Sequence, residues 1–276
     1  MGVCKYCGES AGFLKNQHKE CVAKHDANLS RMVELTRESI VKNKDFQQLN
    51  SQLISLSKSG FVSKNEIKHA VLNGWSNAVE DFLDDGVLSE EEEANVEAFQ
   101  SFFKLEDDEL NHDGSYTKVV QAATLRDILD GNIPQRINLV DDVPFNFQKN
   151  EELVWIFKYV DYYEEKKKTH YEGGHHGFSV KVSKGVYYRA GTFRGHPVET
   201  SQIIYMDSGV MGVTNKHIYF TGPSKSFRVK FEKIVSFTPY DDGIGLQREA
   251  ATAKPQIFVT GEGWFTYNLI TNMAKM

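Results

Sequence analysis

The sequence predicts an α+β protein of several domains: a small metal-stapled knuckle, an α-helical bundle, and an antiparallel β-barrel capped by a C-terminal helix. Three observations carry this expectation. All three cysteines fall within the first 21 residues. Between Asn28 and Gly131 the apolar residues recur at helical spacing. Beyond Leu153 they alternate with polar ones, at the period of two that marks a sheet with one buried face.

The totals agree with such a plan. With 276 residues the chain is long for one domain, and a 40% hydrophobic, 12% aromatic composition supplies packed cores and argues against disorder. The formal net charge of −6 argues against a nucleic-acid coat, but the charge is unevenly spread. Glu80–Asp113 holds fourteen acids against the single base Lys104, whereas the residues from Asn150 onward hold sixteen Lys and Arg against thirteen Asp and Glu. No apolar run approaches the ~18 residues of a membrane-spanning helix. The N-terminal MGVCKYCG lacks the apolar core of a signal peptide, and Tyr6 stands where a myristoylation signal needs Ser or Thr. The expected location is the reducing cytoplasm, with the periphery of a membrane as the second setting.

Residues 1–26 form the expected knuckle. Cys4-Lys5-Tyr6-Cys7 places two thiolates on one turn, and Gly8 suits its tight closure. His18 and Cys21, three apart, share a face on the first turn of a helix. Three thiolates and one imidazole make the closed tetrahedral set that structural Zn²⁺ prefers. His25, four residues past Cys21, is the alternative imidazole, and a chance cluster of thiols is the reading without metal. Lys5, Lys15, Lys19 and Lys24 with Tyr6 and Phe13 make a modest basic and aromatic surface, diluted by Glu9, Glu20 and Asp26. Nucleic acid is therefore a second-choice partner.

Residues 27–131 form the expected bundle. Met32, Leu35, Ile40 and Val41 mark a first amphipathic helix, and Phe46, Leu49, Leu53, Ile54 and Leu56 a second. One joint then occurs twice, as Ser59-Gly60-Phe61-Val62-Ser63-Lys64-Asn65-Glu66 and as Asp85-Gly86-Val87-Leu88-Ser89-Glu90-Glu91-Glu92. In each, Gly ends one helix and Ser-x-x-Glu caps the next reciprocally. Read as a calcium loop from Asp81 to Glu92, the second joint would put Leu83, which has no side-chain oxygen, at the third position, so the capped turn is preferred. The stretch FLDDGVLSEEEEANVEAFQSFFKL resembles tellurite-resistance-type (TerB-like) helical domains. That resemblance implies membrane-associated stress or phage-related systems, with metal binding through acids, here Asp81, Asp84, Asp85 and Glu92.

Asp130-Gly131-Asn132-Ile133-Pro134 ends the helices. Residues 132–150 read as a linker and residues 151–276 as the β domain. Leu153–Tyr163 is the opening strand, with Trp155, Phe157 and Tyr159 on one face and Val154, Ile156 and Lys158 on the other. Further strands are expected at Phe178–Val182, Val186–Phe193, Ser201–Met206, and then at Val210–Thr214 and His217–Thr221 around an Asn215-Lys216 turn. After Gly222-Pro223-Ser224, Phe227, Val229 and Phe231 alternate with Ser226, Arg228 and Lys230. Ile244–Arg248 follows the Asp241-Asp242-Gly243 turn, then Gln256–Val259, and a helix from about Glu262 carries Phe265, Leu269 and Met273 on one stripe. His170, His175 and His176 flank a Gly-rich turn and read as a hairpin tip, because no carboxylate or cysteine stands at ligand spacing.

The run GVMGVTNKHIYFTGPSKSFRVKFEKIVSFTPYDDGIGLQR, with the helix after it, resembles bacterial pleckstrin-homology-like (PH-like) or GRAM-like domains. Thr214, Asn215, Lys216, Tyr219, Phe220, Ile234, Asp242 and Gly243 carry the likeness. It implies a PH-like β-barrel that binds lipid head groups, peptides or neighbouring subunits without catalysis. The candidate ligand-binding residues are Lys166, Lys167, Lys168, Lys181, Arg189 and Arg194, with solvated hairpin charges as the plain alternative.

No P-loop, Gly-x-Ser-x-Gly, His-Glu-x-x-His or dinucleotide fingerprint occurs, and the cysteines are committed to metal. The sequence points to a non-catalytic, zinc-stapled adaptor that binds protein partners, an anionic membrane surface or further copies of itself. A nucleic-acid-binding regulator acting through the knuckle is the alternative. A hydrolase built on His175, His176 and the acidic joint is a third reading.

Overall fold

The structure is a computed structural model that describes residues 2–84, 86–137, 143–172, 175–183, 186–193, 196–250 and 252–276, without the side chains of residues 167–201. The chain divides into two compact units, Met1–Asn132 and Ile133–Met276.

In the first unit, a hairpin of β1 (Gly2–Val3) and β2 (Ser10–Gly12) leads into six helices. These are α1 (Lys19–Val41), α2 (Phe46–Gly60), α3 (Lys64–Phe82), α4 (Glu90–Phe103), α5 (Asp107–Leu110) and α6 (Ser115–Leu129). α1 runs unbroken past residue 26, so the knuckle and the bundle share one helix. Both repeated joints close as reciprocal caps. Ser63 accepts from Glu66 N–H and Ser89 from Glu92 N–H, while each Glu carboxylate reaches back to its own serine. The glycines of the two joints differ in their work. Gly86 takes a positive φ of 78°, but at the first joint that conformation falls to Phe61, with φ 57°. Gly60 instead makes room for α1, since a Cβ there would lie 2.4 Å from the Asn28 amide nitrogen. Met32, Ile40, Leu49, Leu53, Trp75, Val79, Phe99 and Leu110 fill the core. Arg126 of α6 pairs with Glu93 of α4 and donates to the Leu88 carbonyl at 3.0 Å.

The second unit contains β3 (Leu153–Glu172), β4 (His175–Ser183), β5 (Val186–Phe193), β6 (His196–Thr214), β7 (His217–Thr221) and β8 (Ser226–Lys230). A 3-10 turn at Phe231–Lys233 leads to β9 (Ile234–Tyr240), β10 (Gly243–Arg248), β11 (Gln256–Val259) and α7 (Gly263–Met273). Seven strands make one antiparallel sheet in the order β8-β7-β6-β3-β11-β10-β9, and β4 and β5 form a separate hairpin. The barrel expected from the sequence is not closed. In an alternating order of seven, the two edge strands β8 and β9 run the same way, so antiparallel closure is not available. Parallel pairing would need a crossover of about a dozen residues, and the connection here is the short turn Phe231–Lys233.

Two other expectations change. A bulge between Phe157 and Val160 breaks the alternation in β3, so Tyr159 turns outward with φ 60° and 89% exposure, and Tyr162 is the next large ring inward. The strands expected separately at Ser201–Met206 and Val210–Thr214 are parts of one strand, β6. At the far end of β7, the buried Asp207 carboxylate accepts from the N–H groups of Ser224 and Lys225, both at 2.7 Å, and so holds the Gly222-Pro223-Ser224 turn. Tyr162, Phe220, Phe227 and Phe258 pack with ring centroids 5.0 to 6.2 Å apart. α7 lies on β9 and β10 with Phe265, Leu269 and Met273 buried, as their spacing predicts, and the Phe265 ring meets Trp155 at 4.7 Å.

Candidate metal centre

The centre is assembled from two local pieces of chain. Cys4 and Cys7 lie in the turn between β1 and β2, where Gly8, at φ 76°, donates its N–H to the Cys4 carbonyl at 2.9 Å. His18 is the N-cap of α1 in extended conformation, and Cys21 follows in the first helical turn. The hairpin is docked on this helix start by two hydrogen bonds from backbone N–H groups, Lys5 N–H to the Asn16 carbonyl at 2.9 Å and His18 N–H to the Cys4 side-chain sulfur at 3.4 Å.

The Sγ atoms of Cys4, Cys7 and Cys21 and a ring nitrogen of His18 all lie within 4.8 Å of one another, close enough to hold a metal ion. His18 Nδ1 is 3.4 Å from Cys7 Sγ and 3.7 Å from Cys21 Sγ. A tetrahedron with metal–sulfur bonds of about 2.3 Å and a metal–nitrogen bond of about 2.0 Å has nitrogen–sulfur edges of about 3.5 Å. The observed separations bracket that value. The other ring nitrogen, Nε2, lies 3.1 Å from the Ser10 carbonyl, which can only accept. That bond puts the proton on Nε2 and leaves Nδ1 bare for a metal, the usual outer anchor of a ligating imidazole. Burial pushes the Cys4 thiol up, but the N–H groups of Cys7, His18 and Tyr6 more than offset it and bring the thiol down to about 6. Burial and the neighbouring thiols Cys7 and Cys4 push Cys21 up to about 11.

His25 is elsewhere. It is buried, with Nε2 3.2 Å from Glu66 and Nδ1 3.3 Å from Asp26, and its ring lies 4.7 Å from that of Tyr6. The acidic joint is engaged in helix architecture. Asp81 accepts from Arg37 Nε at 2.6 Å, and the Glu92 carboxylate accepts from Ser89 N–H and Oγ at 2.9 and 2.8 Å. Asp85 lies outside the described residues.

Of the basic candidates, Lys166 sits on β3, half-buried and opposite Gln202 of β6. Lys167, Lys168, Lys181 and Arg189 have their backbones on β3, β4 and β5, and their side chains lie outside the described residues, as do those of His170, His175 and His176. Arg194 lies wholly outside them.

A second polar centre had no signal in the sequence. The Glu151 side chain is fully buried and accepts from Thr214 Oγ1 at 2.6 Å, His217 Nδ1 at 2.8 Å, Tyr219 Oη at 2.7 Å and Gln148 N–H at 2.7 Å. A carboxylate only accepts, so His217 carries a proton on Nδ1. Burial raises the Glu151 carboxyl, but the donors, led by Thr214 and the Gln148 N–H, outweigh it and hold the group at about 2. Burial and Glu151 together keep the Tyr219 phenol above its ordinary value. Standing beside Glu152 in a polar stretch, Glu151 looks like a solvated charge until β6 and β7 fold over it.

No protein-family model matches the chain, and no curated protein matches it.

Proposed function

We propose that the chain is a zinc-stapled, non-catalytic binding protein of the cytoplasm, whose two units present surfaces to protein partners or to an anionic membrane. The observation that carries this reading is the four-atom cluster of Cys4, Cys7, His18 and Cys21 with His18 Nε2 tied to Ser10. Three thiolates and an imidazole satisfy all four positions of tetrahedral Zn²⁺, which suits a structural ion better than one that must admit substrate. Zinc there joins the β1–β2 hairpin to the start of α1, a task that two short strands could not manage by burial alone. The seven-strand order with a helix on β9 and β10 supports the reading of the second unit as a PH-like or GRAM-like binding module. The two capped joints support a TerB-like bundle in the first.

Native mass spectrometry tests the staple. One zinc per chain is expected, lost on Cys4→Ser and kept on His25→Ala, and the assembly mass reads any self-association. A protein free of zinc after growth in zinc-replete medium would end the reading. Flotation with anionic vesicles tests the membrane surface, where binding should depend on Lys166, Lys167 and Lys168.

A further inference from the structure

Where β8 gives way to β9, a cavity of about 210 Å³ is lined by His217, Arg228, Val229, Lys230, Lys233 and Arg248. Five of its six lining residues carry a basic side chain, although they come from β7, β8, the 3-10 turn and β10. None of them belongs to the basic group of the hairpin strands.

The local charges do not cancel. Lys230 pairs with Glu232 at 2.6 Å, Lys233 with Glu249 at 3.1 Å, and His217 with the buried Glu151 at 2.8 Å. Among the described residues, no carboxylate pairs with Arg228 or Arg248. Arg228 does approach the Tyr219 hydroxyl, a neutral group. The Nε of Arg248 is buried and has no hydrogen-bond partner. Two guanidinium groups therefore line one small cavity without a carboxylate partner among the described residues. Guanidinium forks match the spacing of phosphate oxygens, and a charge of two matches a phosphate dianion.

We propose that this cavity binds the phosphate group of a phosphomonoester, with Arg228 and Arg248 as its charge partners and Lys230 and Lys233 at its rim. The proposal is independent of the metal centre, which lies in the other unit.

Titration calorimetry on the full zinc-loaded chain tests it, with glycerol phosphate as the soluble probe and vesicles containing phosphatidic acid as the lipid probe. Binding that weakens with added salt is expected. Arg248→Gln and Arg228→Gln should each reduce affinity about tenfold or more, and Arg248→Lys should retain part of it, because a lysine keeps the charge and loses the fork. Since Arg228 lies near the Glu151 network, amide NMR spectra of each variant check that the sheet is intact. Arg248→Gln, further from that network in the chain, serves if Arg228→Gln misfolds. Binding of glycerol phosphate would identify a soluble ligand, and binding of the vesicles alone would identify a head group. Failure of both probes at millimolar phosphate, or affinity unchanged in a folded Arg248→Gln protein, would overturn the site.

Discussion

Replacing Glu151 by Gln should cost the second unit about 3 kcal/mol at neutral pH, and the cost should vanish in acid. The magnitude follows from the four hydrogen bonds that converge on this carboxylate. They lower its pKa from 4.5 to about 2, and each pH unit of displacement is worth about 1.4 kcal/mol, which gives about 3 kcal/mol. Because the folded value lies below the unfolded one, this stability is fully present above pH 4.5 and is lost as pH falls toward 2. Gln keeps the shape but loses the charge, and its amide nitrogen would face donors that now need an acceptor, an arrangement that adds to the cost. Urea unfolding between pH 2 and 7, read by pulsed hydrogen exchange on peptides from β6 and β7, follows this unit apart from the one with the cysteine cluster. The native protein should lose the difference below pH 4.5, and the variant should show a flatter profile across that window. A Glu151→Gln protein within 1 kcal/mol of the native one at pH 7, or two parallel profiles down to pH 2, would refute the assignment.

The other predictions concern the first unit. Gly74→Ala gains about 1 kcal/mol of helix propensity, but its Cβ would lie 2.5 Å from Thr36 Cβ and 2.7 Å from the Val33 carbonyl of α1. Overpacking against backbone costs about 1 to 3 kcal/mol, so a lowered melting temperature is expected, and a raised one would mean that α1 and α3 can part. Ser89→Ala removes one cap of α4 and should cost about 1 kcal/mol in denaturant melts, whereas a neutral result would show that Glu92 alone holds the turn. Chelation should raise hydrogen exchange in β1, β2 and the first turns of α1 and leave β7 unchanged. Equal exchange with and without chelator would separate the cysteine cluster from the folding of the knuckle.

What the sequence by itself determined was whatever depends on near neighbours along the chain. The cluster of Cys4, Cys7, His18 and Cys21, the caps at Ser63 and Ser89, the hairpin around Asn215-Lys216 and the buried stripe of α7 each rest on turn chemistry, reciprocal hydrogen bonds or periodicity over a few residues. Even the choice between His18 and His25 needed more, because both stand at helical spacing from Cys21 and only packing sends His25 to Glu66. The tertiary structure decided the features whose partners lie far apart. Strand order leaves β8 and β9 as open edges, a property of seven alternating directions that no single strand displays. A bulge turned Tyr159 outward against its alternation. Glu151 became a buried anion because Thr214, His217 and Tyr219, more than sixty residues away, close over it. Arg228 and Arg248 line one cavity through the same long-range pairing. Local periodicity records which face of an element is buried, while the partner across that face is chosen by the free energy of the whole sheet.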